Sequence, residues 1–358
     1  MRFLEVVELH TIQLSARRRA MRGRKMSLEY GVFTVSLDFE LYWGVRDKRT
    51  IEGYGENLRG VQRVVPELLR VFRGHDIHAT WAVVGFMFCK DAAELREKFP
   101  ESLPTYEHQS LSPYDYISEN ASLEKIYHFA PELISDISAQ NGQEVATHTF
   151  SHYYCLEKGQ DVAQFEADIH CAVEVANSRG LSMKSLVFPR NQWNETYLAS
   201  LPKFGVQCYR GNQTSSMYKA SDRAGQSRLQ RAARLADAYL NLSGHNTHSF
   251  ESCIRRAPFN FPASSFLRPY DQKLSVLDGL RLRRIKNAMT DAAVNKRLYH
   301  LWWHPHNFGK DTDRNIAFFR KIAEHYSALE KTHGFRSLNM GELSELGENA
   351  WKAISRVS

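Results

Sequence analysis

Short apolar runs alternate along this chain with longer amphipathic stretches, which leaves few folds open to it. The apolar runs predict strands at 32–37, 78–84, 143–147, 185–188, 205–209, 298–303 and 334–338. The amphipathic stretches predict helices at 57–73, 91–98, 123–139, 161–178, 194–201, 228–241, 277–296, 313–332 and 341–354. Strands that alternate with helices are typical of βα units, so we expect a parallel sheet or barrel.

The composition is that of a globular protein. Of the 358 residues, 43% are apolar and 24% are charged, which is ordinary for a soluble domain. Five scattered cysteines without a C-x-x-C pair argue for a reducing compartment and against a thiolate metal site. The segments 100–122, 210–227 and 243–275 are predicted to be loops or excursions, and long loops in compact domains are often functional.

The net charge of +7 is concentrated at the N-terminus. Residues 1–27 carry seven Arg or Lys and two Glu, so the rest of the chain is close to neutral. We therefore predict a basic tail over 1–27, disordered or not translated, and a single domain over 28–358 that ends in a C-terminal helix. The charge does not indicate a nucleic-acid surface. No apolar run is long enough for a membrane span, and the tail is a poor signal peptide, so the expected location is the cytoplasm.

Metal-ligating residue types occur at three places. His148 and His152 are four residues apart, a spacing that turns both rings toward one point. Asp38 and Glu40 follow the first predicted strand, and His304 ends another. An isolated pair of histidines at this spacing is more often two unrelated side chains. Together with the upstream carboxylates and a late histidine, however, the pair indicates a metal hydrolase.

The positions of these residues agree with a barrel active site. Asp38, His148, Arg190 and His304 each lie at or just past the carboxyl end of a predicted strand. In βα barrels that face carries the active site.

Five motifs support a resemblance to a known family. They are Ser36-Leu-Asp-Phe-Glu-Leu-Tyr-Trp-Gly44, His78-Ala-Thr-Trp-Ala-Val-Val-Gly85, His148-Thr-Phe-Ser-His152, Phe188-Pro-Arg-Asn-Gln-Trp193 and Leu301-Trp-Trp-His304. In type and order they resemble the motifs of the polysaccharide deacetylases of the NodB-homology superfamily, which include carbohydrate esterase family 4. The resemblance covers roughly residues 30–340.

The resemblance implies a fold and a cofactor. The fold is of the α/β class, a distorted (β/α) barrel with about seven parallel strands. The cofactor is one divalent metal ion, held by Glu40, His148 and His152. Zinc is the first choice, and cobalt, nickel or iron would suit the same ligands.

The resemblance also implies roles for other residues. Asp38 would be the general base, His304 the general acid and Arg190 the residue that orients the base. Of Trp302 and Trp303, which cannot both face the core, one is a candidate sugar platform, although ordinary packing is the simpler interpretation. The expected substrate contacts are Trp43, Asn191, Tyr209 and His306.

Two details depart from the family pattern. The common form has two adjacent aspartates, whereas Phe39 separates Asp38 from Glu40 here. The third motif runs Phe-Pro-Arg instead of Phe-Arg-Pro, which leaves the direction of Arg190 open.

These features predict a metal-dependent hydrolase that removes acetyl groups from an N-acetylated sugar or polysaccharide precursor. A cytoplasmic enzyme would act on a lipid-linked or nucleotide-linked glycan. Two alternatives stay open: a hydrolase of another non-peptide C–N bond, such as a cyclic amide or ureide, and a glycan-binding barrel without catalysis.

Overall fold

The computed structural model of the protein describes residues 27–218 and 228–355. The predicted basic tail, except for its last residue, lies outside the described residues. The same is true of residues 219–227 in the predicted loop 210–227.

Within the described residues, nine parallel strands form one sheet in the order β6-β5-β4-β3-β2-β1-β8-β7, with β9 also pairing with β1. The strands are β1 (Val32–Phe39), β2 (Ala79–Val83), β3 (Gln143–Thr147), β4 (Ser185–Val187), β5 (Cys208–Arg210), β6 (Phe259–Asn260), β7 (Ser265–Phe266), β8 (Leu298–Trp303) and β9 (Arg336–Ser337). All eight residues of β1 are buried, as expected for a central parallel strand covered on both faces.

One continuous segment, residues 259–266, closes the sheet into a distorted barrel. Phe261 donates a backbone hydrogen bond to Tyr209 at the end of β5, whereas Ser264 donates one to His300 in β8. If β6 and β7 are counted as the two halves of this segment, the barrel wall has seven strands. The predicted fold class is therefore confirmed.

Helices connect the strands. They are α1 (Ile51–Gly74), α2 (Ala92–Glu97), α3 (Pro113–Glu119), α4 (Lys125–His128), α5 (Pro131–Ser138), α6 (Val162–Asn177), α7 (Glu195–Ser200), α8 (Arg228–Leu240), α9 (Phe250–Cys253), α10 (Asp278–Val294), α11 (Thr312–His333) and α12 (Met340–Ser355). Among the described helices, none combines the length and apolarity needed to cross a membrane.

Several predicted elements are wrong in detail. The helix predicted over 123–139 is two helices, because Pro131 begins a new helix and disfavours helical backbone in the residue before it. The strand predicted over 205–209 begins later, since Gly205 has a left-handed φ of 78° that ends the preceding turn. Helix α3, α9 and the two-residue strands β6 and β7 lie in segments predicted to be loops.

The core lies between the barrel wall and the outer helices, and Phe72 of α1 illustrates its packing. The Phe72 ring packs edge-on against Trp81 of β2, Trp303 of β8 and Phe319 of α11, with ring centroids 6.0, 6.4 and 5.6 Å away. Aromatic pairs prefer such tilted contacts. This packing holds β1, β2 and β8 in place, and their carboxyl ends open into one cleft.

Candidate active site

The two carboxylates after the first strand are buried at the carboxyl end of the barrel. Asp38 lies in β1, Glu40 follows the strand directly, and both line the cleft. The next residue, Leu41, has a φ of 46°, a left-handed conformation that is uncommon for a residue other than glycine. Such strain costs about 1–3 kcal/mol and is concentrated at functional sites.

The loop after β3 carries the two histidines. Thr149 and His152 have left-handed φ values of 65° and 61°, so this loop is also strained. Asp168 of α6 holds it, since its carboxylate accepts hydrogen bonds from the backbone N–H groups of Phe150 (2.7 Å) and Ser151 (3.1 Å) and from the Ser151 hydroxyl. Asp168 therefore fixes the backbone between the two histidines.

Glu40, His148 and His152 form a cluster with the donor set of a metal site. The Glu40 Oε2 atom lies 3.2 Å from His148 Nε2 and 3.0 Å from His152 Nε2, and one ligand atom from each residue lies within 4.8 Å of the others. His148 Nδ1 donates a hydrogen bond to the carbonyl oxygen of Val187 (2.7 Å), so the Nε2 of the neutral ring carries a lone pair. That lone pair faces a carboxylate oxygen, an arrangement that a shared cation stabilises.

Burial and charge set the protonation of this cluster. Burial would raise the pKa of Glu40, but His304, His148 and His152 outweigh it and hold the pKa well below its usual value. Burial lowers the pKa of His152 to about 4, although Glu40 opposes the shift. At neutral pH the cluster is an ionised carboxylate with neutral imidazole at His152, which is the state that metal ligation requires.

Arg210, and not Arg190, contacts Asp38. The Arg210 guanidinium donates to both carboxylate oxygens of Asp38, at 2.6 and 2.8 Å, and also to Ser36 Oγ and Asn191 Oδ1, each at 2.9 Å. Burial would raise the pKa of Asp38, but the charge and hydrogen bonds of Arg210 outweigh it and lower the pKa. Asp38 is therefore held ionised and in one orientation.

Arg190 serves another part of the cleft wall, so its predicted contact with the base is wrong. Its guanidinium pairs with Asp47 and with Glu157 (3.4 Å), and it lies over the ring of Tyr154 at 4.1 Å. Arg190 itself has a left-handed φ of 56° in the turn that follows Pro189. This turn directs the side chain toward Asp47 and leaves the next residue, Asn191, to contact Arg210.

The late histidines reach the same end of the cleft. His304 Nε2 lies 3.7 Å from Asp38 Oδ2 and 3.5 Å from Glu40 Oε1. His306 Nε2 lies 3.9 Å from Glu40 Oε1, and burial together with His304 lowers the pKa of His306 to about 3. His306 is therefore neutral at working pH and less suited to deliver a proton.

A hydrogen-bonded chain selects the tautomer of His304. The Tyr54 hydroxyl donates to Asn307 Oδ1 (3.0 Å), which leaves the Asn307 amide nitrogen to donate to His304 Nδ1 (3.3 Å). Because Nδ1 accepts this bond, the neutral His304 ring carries its proton on Nε2. That N–H faces the two carboxylates and the cleft.

Of the four expected substrate contacts, Asn191 and His306 lie in the cleft, whereas the predictions for Trp43 and Tyr209 are wrong because both side chains are buried elsewhere. The Trp43 ring is buried against Phe86, and its Nε1 donates to the carbonyl oxygen of His128 (2.7 Å), away from the cleft. Tyr209 is also buried, against Phe188, because it points to the outer side of β5. Asn191 and His306 both line the cleft.

Of the two candidates for a sugar platform, Trp302 is the one that lines the cleft. Trp303 is buried in the core, whereas Trp302 is partly exposed and lines the cleft. The Arg210 guanidinium covers the Trp302 ring at 4.1 Å, and Phe266 packs on it at 4.7 Å between ring centroids.

The cleft has a volume of about 540 Å³, within the range of small-molecule and cofactor sites. One end contains Asp38, Glu40 and the histidines. The rest is lined by residues of the segments between β5 and β8 together with residues that follow β1 and β4. The sequence interpretation assigned no role to Arg210, Asp168, Tyr54 or Asn307. The sequence did contain evidence for Arg210, because it directly follows a predicted strand. The same criterion identified Asp38, His148 and His304 as site residues.

Comparison with known proteins agrees with this fold. Residues 53–209 match the family model for polysaccharide deacetylase; this segment contains His148 and His152, whereas Asp38, Glu40 and His304 lie outside it. The fold is similar to that of a Mycobacterium smegmatis protein assigned as a polysaccharide deacetylase, with a TM-score of 0.54 and 13% identity over 89% of this chain and 91% of that one. A Pseudomonas aeruginosa PAO1 protein with the same assignment gives a TM-score of 0.50 and 9% identity over 89% of this chain and 90% of that one. No curated protein matches the chain. The family match confirms the predicted resemblance, and the two structures support the barrel fold.

Proposed function

Since this chain is similar to the polysaccharide deacetylases in fold and matches that family over residues 53–209, we propose that it is a metal-dependent hydrolase that removes acetyl groups from an N-acetylated carbohydrate. The observation that supports this most is the meeting of three groups at one end of the cleft. His304 Nε2 lies 3.7 Å from Asp38, which Arg210 holds, and 3.5 Å from Glu40 of the metal-ligand cluster.

Glu40, His148 and His152 would hold the metal ion. Two imidazoles and a carboxylate are the ligands of many catalytic zinc sites, and cobalt, nickel or iron suit them as well. When bound there, a divalent ion would polarise the acetyl carbonyl and lower the pKa of water. The Val187 carbonyl fixes the His148 ring, and Asp168 fixes the loop, so that both rings present Nε2 without rearrangement.

Asp38 is the general base of the proposed reaction. A carboxylate has about four lone-pair positions, and Arg210 occupies one on each oxygen. The remaining positions are available to accept the proton of the attacking water. Arg210 stabilises the charged form and prevents the carboxylate from turning away.

His304 is the general acid. An amine leaves poorly as an anion, so a proton must reach the nitrogen as the C–N bond breaks. His304 would act in its protonated form: Nε2, which faces the Asp38 and Glu40 carboxylates at the cleft, gives its proton to the leaving nitrogen, and the imidazolium returns to the neutral ring. The ring is partly exposed, so it can recover its proton from solvent after each turnover.

The arginines of the cleft favour one alternative, the hydrolysis of a small anionic cyclic amide at the same site. Arg234, Arg268 and Arg284 line the cleft beyond the acidic end, and such cations would recognise an anionic amide. Assays on N-acetylglucosamine oligomers and on small ureides separate the two proposals, because only one substrate class should be turned over.

Isosteric variants of the two carboxylates test the assigned roles. Asp38→Asn should retain metal and lose turnover, since an amide cannot accept the proton. Glu40→Gln should weaken metal affinity, since it removes the anionic ligand. Asp136→Asn, on the exposed side of α5, is the matched control and should match the unmodified protein in both respects. If Asp38→Asn loses metal while Glu40→Gln binds it normally, the two roles are exchanged.

A further inference from the structure

The part of the cleft beyond the acidic end is rich in arginine. Four arginines line it, with Asp237 as the one acidic residue that lines this part among the described residues. All of these lie in the segments between β5 and β8, outside the residues matched by the family model. The arginines are Arg234, Arg268, Arg281 and Arg284.

The Asp237 carboxylate can pair with only one of these four arginines, because its other lone-pair positions are occupied. Its carboxylate accepts from the Tyr218 hydroxyl (2.8 Å), from the backbone N–H (2.7 Å) and hydroxyl (2.8 Å) of Ser243, and from Arg284 Nη2 (3.1 Å). These bonds fill its lone-pair positions. The charge of Asp237 is therefore matched by Arg284 alone.

Arg281 is likewise occupied. It pairs with Asp278 (2.9 Å) and donates to the backbone carbonyl oxygens of Arg268 and Pro269. Arg281 lies three residues before Arg284 on α10, so both face the cleft from the same side of the helix. By holding these carbonyl groups, Arg281 fixes the backbone from which the Arg268 side chain extends.

Arg268 and Arg234 have no acidic partner among the described residues. In residues 27–218 and 228–355, no carboxylate lies within 4.0 Å of either guanidinium; Arg234 Nε donates only to the carbonyl oxygen of Met217 (2.6 Å). Burial lowers the pKa of Arg268, since Tyr239 and Tyr218 compensate for it only in part. In addition, the buried Nη1 of Arg284 has no hydrogen-bond partner in the part of the chain that the structure describes. Partly buried charges without a counterion are costly.

We propose that Arg234, Arg268 and the Nη1 group of Arg284 bind a phosphate or diphosphate group of the acetylated carbohydrate. This rests on the proposed function for the substrate as a whole, but the anion site is defined by its own residues. Arginine binds phosphate through paired N–H groups. Two positive charges that no carboxylate of the described residues compensates match a dianion better than the single charge of a carboxylate.

The site lies next to the catalytic end. Arg268 follows Phe266 by two residues, and the Phe266 ring lies 5.9 Å from the His304 ring and 4.7 Å from the Trp302 ring, measured between centroids. A sugar against Trp302, with its acetyl group toward His304, would therefore place a phosphate on the same sugar or on its neighbour within reach of Arg268. Lipid-linked and nucleotide-linked glycans both carry this group.

Binding of inorganic pyrophosphate tests the site directly. The full chain in its metal-loaded form should bind pyrophosphate, and Arg268→Gln or Arg234→Gln should each weaken that binding about ten- to hundredfold, since each removes hydrogen bonds to a charged group. Arg283→Gln is the matched control, because Arg283 lies on α10 with its side chain exposed. It should bind as the unmodified protein does.

The metal centre is a competing site for pyrophosphate, so the same titration is repeated in the His148→Ala/His152→Ala double variant. The proposal requires binding there that still depends on Arg268. Binding that disappears in the double variant and is unaffected by Arg268→Gln would overturn it. Circular dichroism spectra confirm that each variant is folded, and Arg234→Gln provides a second test if Arg268→Gln is not.

Substrate assays identify the source of the phosphate. Arg268→Gln should raise KM for a phosphorylated acetylated sugar more than for a neutral oligomer. We compare two phosphorylated substrates: a soluble nucleoside diphosphate N-acetylsugar, and a polyprenyl-phosphate-linked N-acetylsugar in vesicles. The substrate whose KM rises more in Arg268→Gln carries the phosphate group that the site binds. Equal changes in KM for the phosphorylated and neutral substrates would contradict the proposal. Arginine-dependent pyrophosphate binding without deacetylation would reject the proposed function and leave the anion site intact.

Discussion

Replacing Arg210 with glutamine should destabilise the protein strongly. The guanidinium is fully buried and donates two hydrogen bonds to Asp38, one to Ser36 and one to Asn191. Arg210→Gln leaves the Asp38 carboxylate buried without its cation. Removing one partner of a buried ion pair costs about 3–5 kcal/mol, because the other charge stays in a low-dielectric environment.

A double-mutant cycle separates this effect from general packing. Asp38→Asn removes the uncompensated charge, so the double variant Asp38→Asn/Arg210→Gln should be more stable than the sum of the two single changes by about 3 kcal/mol. Arg190→Gln is the matched control. Its partners are Asp47 and Glu157, and its effect should add to that of Asp38→Asn within about 0.5 kcal/mol.

The assay is urea denaturation of each variant without metal, so that metal binding does not contribute to the measured stability. A coupling energy near zero between Arg210 and Asp38, or a larger coupling between Arg190 and Asp38, would refute the assignment of Arg210 as the partner of the base.

Two further variants test the residues that position the site. Asp168→Asn should lower metal affinity about 10–100-fold, because a change in an outer residue that orients metal ligands has effects of this size; unchanged metal affinity by isothermal titration would show that Asp168 has no such role. Asn307→Leu should leave metal binding intact and lower kcat on an amide, since the His304 ring loses a contact that orients it. The loss should be smaller on an activated ester, whose leaving group needs no proton, and equal losses on both substrates would contradict the assignment of His304 as the acid.

The sequence predicted the parts of the site that depend on local order. Asp38, Glu40, His148 and His304 each follow a strand with a clear apolar pattern, and parallel strands bring their carboxyl ends to one edge of the barrel. No long-range information was needed to place these residues together.

The partner of Asp38 required the closed barrel. Arg210 ends β5, which is four strands away from β1 in the sheet, and its side chain reaches Asp38 only across the barrel interior. Closure of the barrel depends on strands β6 and β7. Each has only two residues, which is too short to give a periodic pattern in the sequence. Arg190 occupies the family position in the sequence, but its left-handed backbone directs the side chain elsewhere.

The sequence pattern also did not predict whether a given tryptophan faces the core or the cleft. Trp43 follows β1 closely, as the site residues do, yet the 3₁₀ turn Leu41–Gly44 rotates it into the core. Trp302, for which ordinary packing was the simpler interpretation, faces the cleft.

Release of acetate by the metal-loaded protein is the most direct test of the proposed activity. The assay uses a panel of N-acetylated glycans, neutral and phosphorylated, with metal content measured in the same samples. We expect about one divalent ion per chain, estimated from the single cluster of Glu40, His148 and His152, together with acetate release that Asp38→Asn abolishes without loss of metal. Full metal occupancy with no acetate from any glycan would contradict the account and favour a barrel that binds glycans without hydrolysing them.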